Sequence, residues 1–484
     1  MQSISARLTA PSPHAAAASA PAAAQAPAVL AAPATAPTAP VIAPGPIPTA
    51  TTYDLTLNPA GRSLSGSGTI AVTNQQKEPL TELYVRLWAN TPKLAKDGGA
   101  ASITGVKVDG AAVAATQDRT LVRIPLATPL AAGASTSVSF DLSVTIPSDM
   151  GRMGTARDGS LYFGNALPML AVHDEEGWNL DPYVGMGETF YSLASDWQVT
   201  LRAPEPKQLI TTGTAVSDSV RNGQRELVIK APHARDFIIV ATEGYKQLER
   251  QVGDTKVRVW TPAGDGNASK MLDTAAGSLD FYNKRYGAYD QPEMDVIATR
   301  GLGGGMEYPG VTLNDGGARI VVAHENAHQW FYSMAGNNQF DDPWLDESFT
   351  TFITSEYTGA SHERVTREIL GGRKDITRPA AAGAPPANVS SPMHVLNNRG
   401  YFGKIYSQGA NVLGDLKKEL GEETFVKGMR THFEGARNGV ATTAGFITTM
   451  SGAAGRDLTD WFVRHNVNAV EPAAADKLDP NRDM

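Results

Sequence analysis

The chain has 484 residues, 42% hydrophobic and 19% charged, enough for two or three domains with cores of their own. A net charge of −8 argues against nucleic acid or an anionic membrane surface as a main partner, and no apolar run reaches the ~18 residues that a transmembrane helix needs. The absence of cysteine excludes disulfides, thiolate metal sites and a cysteine nucleophile, and leaves histidines and carboxylates as metal ligands.

Residues 1–50 are rich in Ala and Pro, with Pro recurring every few residues from Pro11 to Pro48. Such a segment cannot bury a core and is expected to be extended or disordered. Arg7 is its one positive charge and Pro interrupts every apolar run, so it does not read as a signal peptide. From 51 to about 245 the pattern is β. Runs such as Tyr53–Leu57, Gly68–Val72, Leu83–Trp88, Ser137–Leu142 and Trp197–Leu201 alternate with turns, and Asp109-Gly110 is a hairpin signal. An antiparallel sheet domain is expected over 51–245. His173 and His233 fall there, and neither has the spacing of a metal ligand.

The pattern changes at about 246. Leu272, Ala275, Ala276, Leu279 and Tyr282 recur at helical spacing within 270–286, and Met294–Ala298 reads as a strand. Gly301, Gly303, Gly304 and Gly305 follow, where glycine lets another backbone approach. Val311–Leu313 is expected to be an edge strand able to accept an extended peptide by strand addition, with Glu307 just before it.

The chemistry is concentrated in Val321-Val322-Ala323-His324-Glu325-Asn326-Ala327-His328. On a helix, positions i and i+4 share a face, so His324 and His328 point the same way as two ligands of one metal. Glu325 is one position round, placed to act as a general base on water beside the ion. Catalytic zinc commonly takes three protein ligands, so a third is required. Eighteen residues separate His328 from Glu347, and in Asp342-Pro343-Trp344-Leu345-Asp346-Glu347 Asp342 reads as an N-cap and Pro343 as a first helical residue. Glu347 falls about one turn into that helix, and the first helix is expected to run to Gly336. The alternative for Glu347 is a solvated helix charge. Trp344, Leu345, Phe349 and Phe352 around it favour burial, where an unpaired carboxylate is costly. Residues 371–400 read as a long loop, either a lid or a surface excursion. Residues 401–420 and 421–467 read as helices, with a short tail from Glu471.

These motifs resemble those of the gluzincin peptidases, and of the aminopeptidase N family in particular. H-E-x-x-H, eighteen residues and then Glu within W-L-D-E is one likeness. Gly304-Gly305-Met306-Glu307-Tyr308 is similar to the family's G-x-M-E-N, with Glu307 seventeen positions before His324. Tyr406-Ser407-Gln408-Gly409-Ala410 resembles its Y-x-K-G-A element, and Tyr401 matches a second tyrosine of the leukotriene hydrolase branch. Residues 162–181 read like the bacterial members. The resemblance covers about 53–467.

The resemblance implies an α+β chain, with a saddle-shaped β domain (51–245) before a thermolysin-like, mostly helical catalytic domain (246–467) containing a small sheet. It implies one Zn²⁺ on His324, His328 and Glu347, with Glu325 as general base and Tyr406 on the oxyanion. Glu307 would bind the substrate's α-amine, flanked by Gly304, Gly305 and Met306, with Tyr401 as an accessory group. The expected activity is removal of N-terminal residues from peptides. An open-cleft endopeptidase and a non-catalytic zinc-stabilised binder are the alternatives. Asn326, Ser348 and Tyr308 depart from the family pattern, and the large C-terminal helical domain of long members is not expected here. A monomer is expected, secreted by likeness to exported bacterial members, otherwise cytoplasmic.

Overall fold

A computed structural model describes residues 47–371, 388–393, 396 and 398–468, apart from 186 and 188. The readings of a disordered start, a C-terminal tail and most of the 371–400 loop fall outside those residues. Within them, the first strand begins at Ile47, so the β region starts before residue 51.

Along Ile47–Asn58 the side chains of Tyr53, Leu55 and Leu57 are buried, while Asp54 and Thr56 between them are exposed. That period of two places one face of an eight-stranded sheet against a core. The core is shared with Leu83, Val85 and Ile124 of a separate four-stranded sheet. Each such aliphatic side chain contributes roughly 1.5–3 kcal/mol by leaving water. The expectation of an antiparallel sheet needs one correction. Ile47–Asn58 runs parallel to Ser195–Pro204, with Tyr53 opposite Val199. The two strands are joined by the long excursion through residues 59–194, the kind of crossover that parallel pairing requires.

The second region contains a five-stranded mixed sheet, in the order Tyr245–Val252, Thr255–Pro262, Glu293–Thr299, Val311–Asp315, Gly305–Tyr308. Helix Ala268–Tyr286 crosses over between the second and third of these. The edge strand is therefore Gly305–Tyr308, not Val311–Leu313. Val311–Asp315 pairs on both sides, parallel to Glu293–Thr299 and antiparallel to Gly305–Tyr308. The chain doubles back at Pro309-Gly310, where Gly310 takes φ +75°, and Glu307 lies within the outer strand.

A largely helical core of Met271, Leu279, Trp330, Trp344, Phe349 and Leu413 fills the rest of this region. A third apolar cluster joins the two regions, packing Tyr162, Ile238 and Val240 against Ile297, Tyr308 and Leu313. The observed architecture is a β-rich first part followed by a helical part with an open sheet.

Candidate active site

Helix Arg319–Ala327 carries His324 and Glu325, and His328 is its C-terminal cap with near-helical backbone (φ −61°, ψ −14°). The helix stops well short of Gly336. Trp330 and Phe331 turn into the core, and Tyr332 takes φ 131°, which no helix accommodates. The two histidines stay one turn apart because the His328 N–H still donates to the His324 carbonyl, at 3.3 Å. Helix Trp344–Thr358 supplies Glu347 as its fourth residue. Pro343 occupies the capping position, and the Asp342 carboxylate accepts from Thr443 Oγ1 instead of capping the helix.

His324 Nε2 lies 3.2 Å from His328 Nε2 and 3.3 Å from Glu347 Oε2, and His328 Nε2 lies 3.5 Å from the same oxygen. All three residues are at most 3% exposed. Ligands about 2.0–2.1 Å from a tetrahedral zinc stand roughly 3.3–3.4 Å from one another. The triangle of donor atoms therefore has the size a zinc ion requires, and the residues present fit that ion.

The electrostatics of the bare cluster point the same way. Burial pushes the Glu347 carboxyl up to about 8. Burial, with Asp346 adding to it, also raises Glu307, and burial with Glu307 and Glu347 raises Glu325 further. Burial and His328 lower His324. Burial opposes protonation of His328 too, but Asp346, Glu307 and Glu347 outweigh it and hold that ring raised. Five ionisable groups packed near a single buried guanidinium, that of Arg152, cannot all take their ordinary charges, and a bound dication would restore the ionised carboxylates and neutral imidazoles.

Supporting contacts fix the ligands. Asp346 Oδ1 lies 2.6 Å from His328 Nδ1, which leaves Nε2 free to ligate, and Asp346 Oδ2 accepts from Gln339 Nε2 at 2.8 Å. The Tyr406 hydroxyl donates to Glu347 Oε1. Burial and the adjacent Glu347 raise the Tyr406 pKa well above normal, so the phenol stays protonated and can donate. Tyr401 is fully buried, and its hydroxyl has no hydrogen-bond partner in the structure.

Glu307 reaches the cluster from the edge strand. Its carboxylate lies with Glu325 and His328 in a second group whose ligand atoms are all within 4.8 Å of one another. Gly305 permits this approach, because a Cβ there would come within 2.1 Å of Glu325 Oε1. Gln329 ties the strand to the histidine segment, donating to the Tyr308 carbonyl at 3.0 Å and accepting from the Gly310 N–H at 2.9 Å. Tyr308, at the family's Asn position, donates its hydroxyl to the Arg152 carbonyl of the β-rich part. A cavity of about 330 Å³ opens over Gly304, Gly305, Met306, Glu307, the two histidines, Glu325, Glu347 and Tyr406. Asp346 and Gln329 were not singled out in the sequence. Their only signal was adjacency, one before Glu347 and one after His328. His173 and His233 lie outside the cluster. His173 packs edge-on against Trp178, and His233 faces Asp196 at 3.6 Å.

Residues 270–465 match the peptidase family M1 domain. The chain is 23% identical over 453 residues to aminopeptidase M1-B of Oryza sativa subsp. japonica, covering 88% of this chain and 50% of that one. It is 24% identical over 296 residues to probable aminopeptidase 2 of Sulfurisphaera tokodaii, covering 54% and 37%. The chain thus spans half or less of the length of these curated relatives. Its fold is similar to that of the M1 zinc metallopeptidase of Deinococcus radiodurans, with a TM-score of 0.63, 17% identity and coverage of 91% and 97%. The resemblance to the aminopeptidase N family is thus borne out by the match of residues 270–465 to the peptidase family M1 domain and by the aminopeptidases to which the chain is similar.

Proposed function

We propose that this protein is a zinc-dependent aminopeptidase, with the division near residue 245 separating a β domain from the catalytic domain. His324, His328 and Glu347 hold the ion. When bound, zinc supplies Lewis-acid chemistry, polarising the scissile carbonyl and acidifying water. Glu325 takes the proton of the attacking water and later delivers it to the leaving amine. Tyr406 releases Glu347 and donates its hydroxyl to the developing oxyanion, a role whose loss typically costs ~10²–10³ in turnover. The edge strand, through Gly304, Gly305 and Met306, flanks the substrate main chain. Tyr401 stands behind Tyr406, their rings 5.9 Å apart.

The observation that carries the exopeptidase reading is Glu307. Its carboxylate is 3% exposed, its Oε1 accepts no hydrogen bond, and it faces the cavity beside Glu325. A buried acceptor of this kind is satisfied by a substrate ammonium, which then sets the first peptide bond over the metal. The curated relatives named above are aminopeptidases. Solved two-domain M1 zinc metallopeptidases bound to L-arginine and to L-tryptophan share the fold, consistent with single amino acids as products.

The test is hydrolysis of matched peptides with free and acetylated N-termini by zinc-loaded protein. Stepwise release of residues from the free form alone is expected, and Glu325→Gln abolishes it while zinc stays bound. Equal cleavage of both forms at internal bonds would establish the open-cleft endopeptidase instead. Inactivity towards both, with stoichiometric zinc, would favour a zinc-stabilised binder. No helix of the described residues is long and apolar enough to cross a membrane. Export, which the resemblance to exported bacterial members implies, and a monomeric state belong to the same reading. Cell fractionation and solution mass measurement test them.

A further inference from the structure

Asp315 ends Val311–Asp315, the strand that pairs with the edge strand Gly305–Tyr308, and its carboxylate closes the glycine-rich loop leading into that edge. Oδ1 accepts from the Gly301 N–H and Oδ2 from the Gly303 N–H, both at 2.9 Å, and the Asp315 N–H donates to the Gly304 carbonyl at 2.8 Å. Gly301 and Gly303 take φ +95° and +79°, which glycine adopts without strain. The far side of the loop lies against the end of helix His362–Ile369. A Cβ on Gly304 would come within 2.4 Å of the Ile369 carbonyl, and one on Gly371 within 2.8 Å of the Gly303 carbonyl. Held from both sides, Leu302, Gly303 and Gly304 line the cavity over the metal ligands.

The register of the strand pair gives the loop its place along the substrate. With Asp315 bonded to Gly304, the alternation of an antiparallel pair turns the main-chain groups of Met306 inward to Leu313 and those of Gly305 and Glu307 outward, on the open edge. Continued one step, the alternation would turn the Gly303 N–H outward too, but the Asp315 carboxylate takes it. With the substrate ammonium at Glu307 and the base Glu325 beside Gly305, the residues beyond the cleaved bond run on towards Gly303 and Leu302. The bonding edge stops there, and the loop stands as a wall.

We propose that Asp315 is a positioning residue. By holding the loop 301–304 it places the wall against which the first residues after the cleaved bond bind, and so sets the affinity for peptides over single-residue amides. This rests on the aminopeptidase reading given above, with Glu307 as the amine contact. The side chain of Asp315 bonds to main-chain groups of the loop and not to the metal ligands, so its loss is expected to spare the chemical step.

The test compares the zinc-loaded full chain with its Asp315→Ala variant on two substrates. L-leucinamide releases only ammonia, whereas the tetrapeptide L-leucyl-trialanine releases a chain that spans the wall. For the tetrapeptide, KM is expected to rise about tenfold at nearly constant kcat, while both constants for leucinamide stay within about twofold. Bound zinc reports that the variant is folded. Asp315→Asn, which keeps one of the two acceptors, carries the same comparison with a rise in KM of about threefold. Equal losses on both substrates would assign Asp315 to general stability. An unchanged or lowered KM for the tetrapeptide would show that the loop does not hold the leaving chain. Either result overturns the inference while the aminopeptidase reading stands. Wild-type protein that hydrolyses neither substrate overturns that reading, and the inference with it.

Discussion

At the scale of single residues, the cluster depends on one carboxylate that touches no substrate. Asp346 is 1% exposed, bonded on one oxygen to His328 Nδ1 and on the other to Gln339. It therefore fixes the tautomer and the ring plane of a ligand. Asp346→Asn keeps the volume but removes the charge, and its amide can present N–H to Nδ1, favouring the wrong tautomer. Zinc affinity is expected to fall about 10–100-fold, read by chelator competition, with the far-ultraviolet dichroism unchanged. Affinity within twofold of wild type would show that Thr350, whose hydroxyl is 3.2 Å from the same nitrogen, suffices to orient the ring. The ligands were legible in the sequence because H-E-x-x-H obeys a local rule, a face that repeats every turn. Asp346 and Gln329 were not, because their partners are set by how one helix lies across another segment, and no spacing along the chain encodes that.

At the scale of elements, residue types located the helices, but their ends and internal geometry came from packing. The run before His324 is apolar enough to predict a buried helix, yet Trp330 and Phe331 end it early by entering the core. The tyrosine segment departs further from expectation. Asn398–Tyr401 opens it as α-helix, Phe402–Gln408 is π-helical, and Gly409–Leu420 resumes the α-helix. A π-turn interrupts the regular carbonyl ladder and re-aims side chains, and such turns recur at functional sites. Here the Ile405 carbonyl is taken by the Ser348 hydroxyl, immediately after Glu347, while Tyr406, immediately after Ile405, donates to Glu347. The two contacts close a ring between the ligand helix and the tyrosine segment. Gly409 leaves room for it, since a Cβ there would meet Ser348 Oγ at 1.9 Å. Ser348 stands where the family usually has Gly, and this contact gives the departure a structural role. Ser348→Ala leaves a buried carbonyl without its donor, at a cost of about 1–3 kcal/mol. The expected kinetic result is a lower kcat with little change in KM, because Tyr406 is displaced from the reacting carbonyl while the amine contact at Glu307 is untouched. A rise in KM at constant kcat would place Ser348 in substrate binding instead.

At the scale of the whole molecule, the β-rich part was legible from its period-two alternation. Its attachment to the catalytic part was not, because the apolar cluster there pairs residues far apart in the chain and the polar contacts end on main-chain carbonyls, which carry no sequence signal. Arg235, 2% exposed, extends across that joint. Its Nε donates to the Ser333 carbonyl at 3.1 Å, Nη1 to the Ser192 carbonyl at 3.2 Å and Nη2 to the Gly439 carbonyl. Burial lowers its pKa to about 10, so it remains charged at neutral pH and makes charge-assisted bonds to all three segments. Ser333 follows the histidine segment directly, and Gly439 precedes the short strand Val440–Ala441 that pairs with Gly336–Asn337. One guanidinium thus ties the β-rich part to the chain leaving the metal site. Arg235→Met fills much of the same space and leaves the Ser333 and Ser192 carbonyls without this donor, while the Gly439 carbonyl still accepts from the Gly336 N–H at 3.3 Å. At about 1–3 kcal/mol for each of these two, a loss of about 2–6 kcal/mol is expected. Arg235→Lys does not restore it, because an ammonium cannot span three acceptors with the reach of a planar fork. Calorimetry should show more than a lower midpoint. With the tie removed, the β-rich and helical parts are expected to melt in separate transitions, and peptidase activity to disappear with the helical one. A single transition at the wild-type midpoint would mean that the apolar cluster around Tyr162, Ile238, Ile297 and Tyr308 holds the two parts together without Arg235.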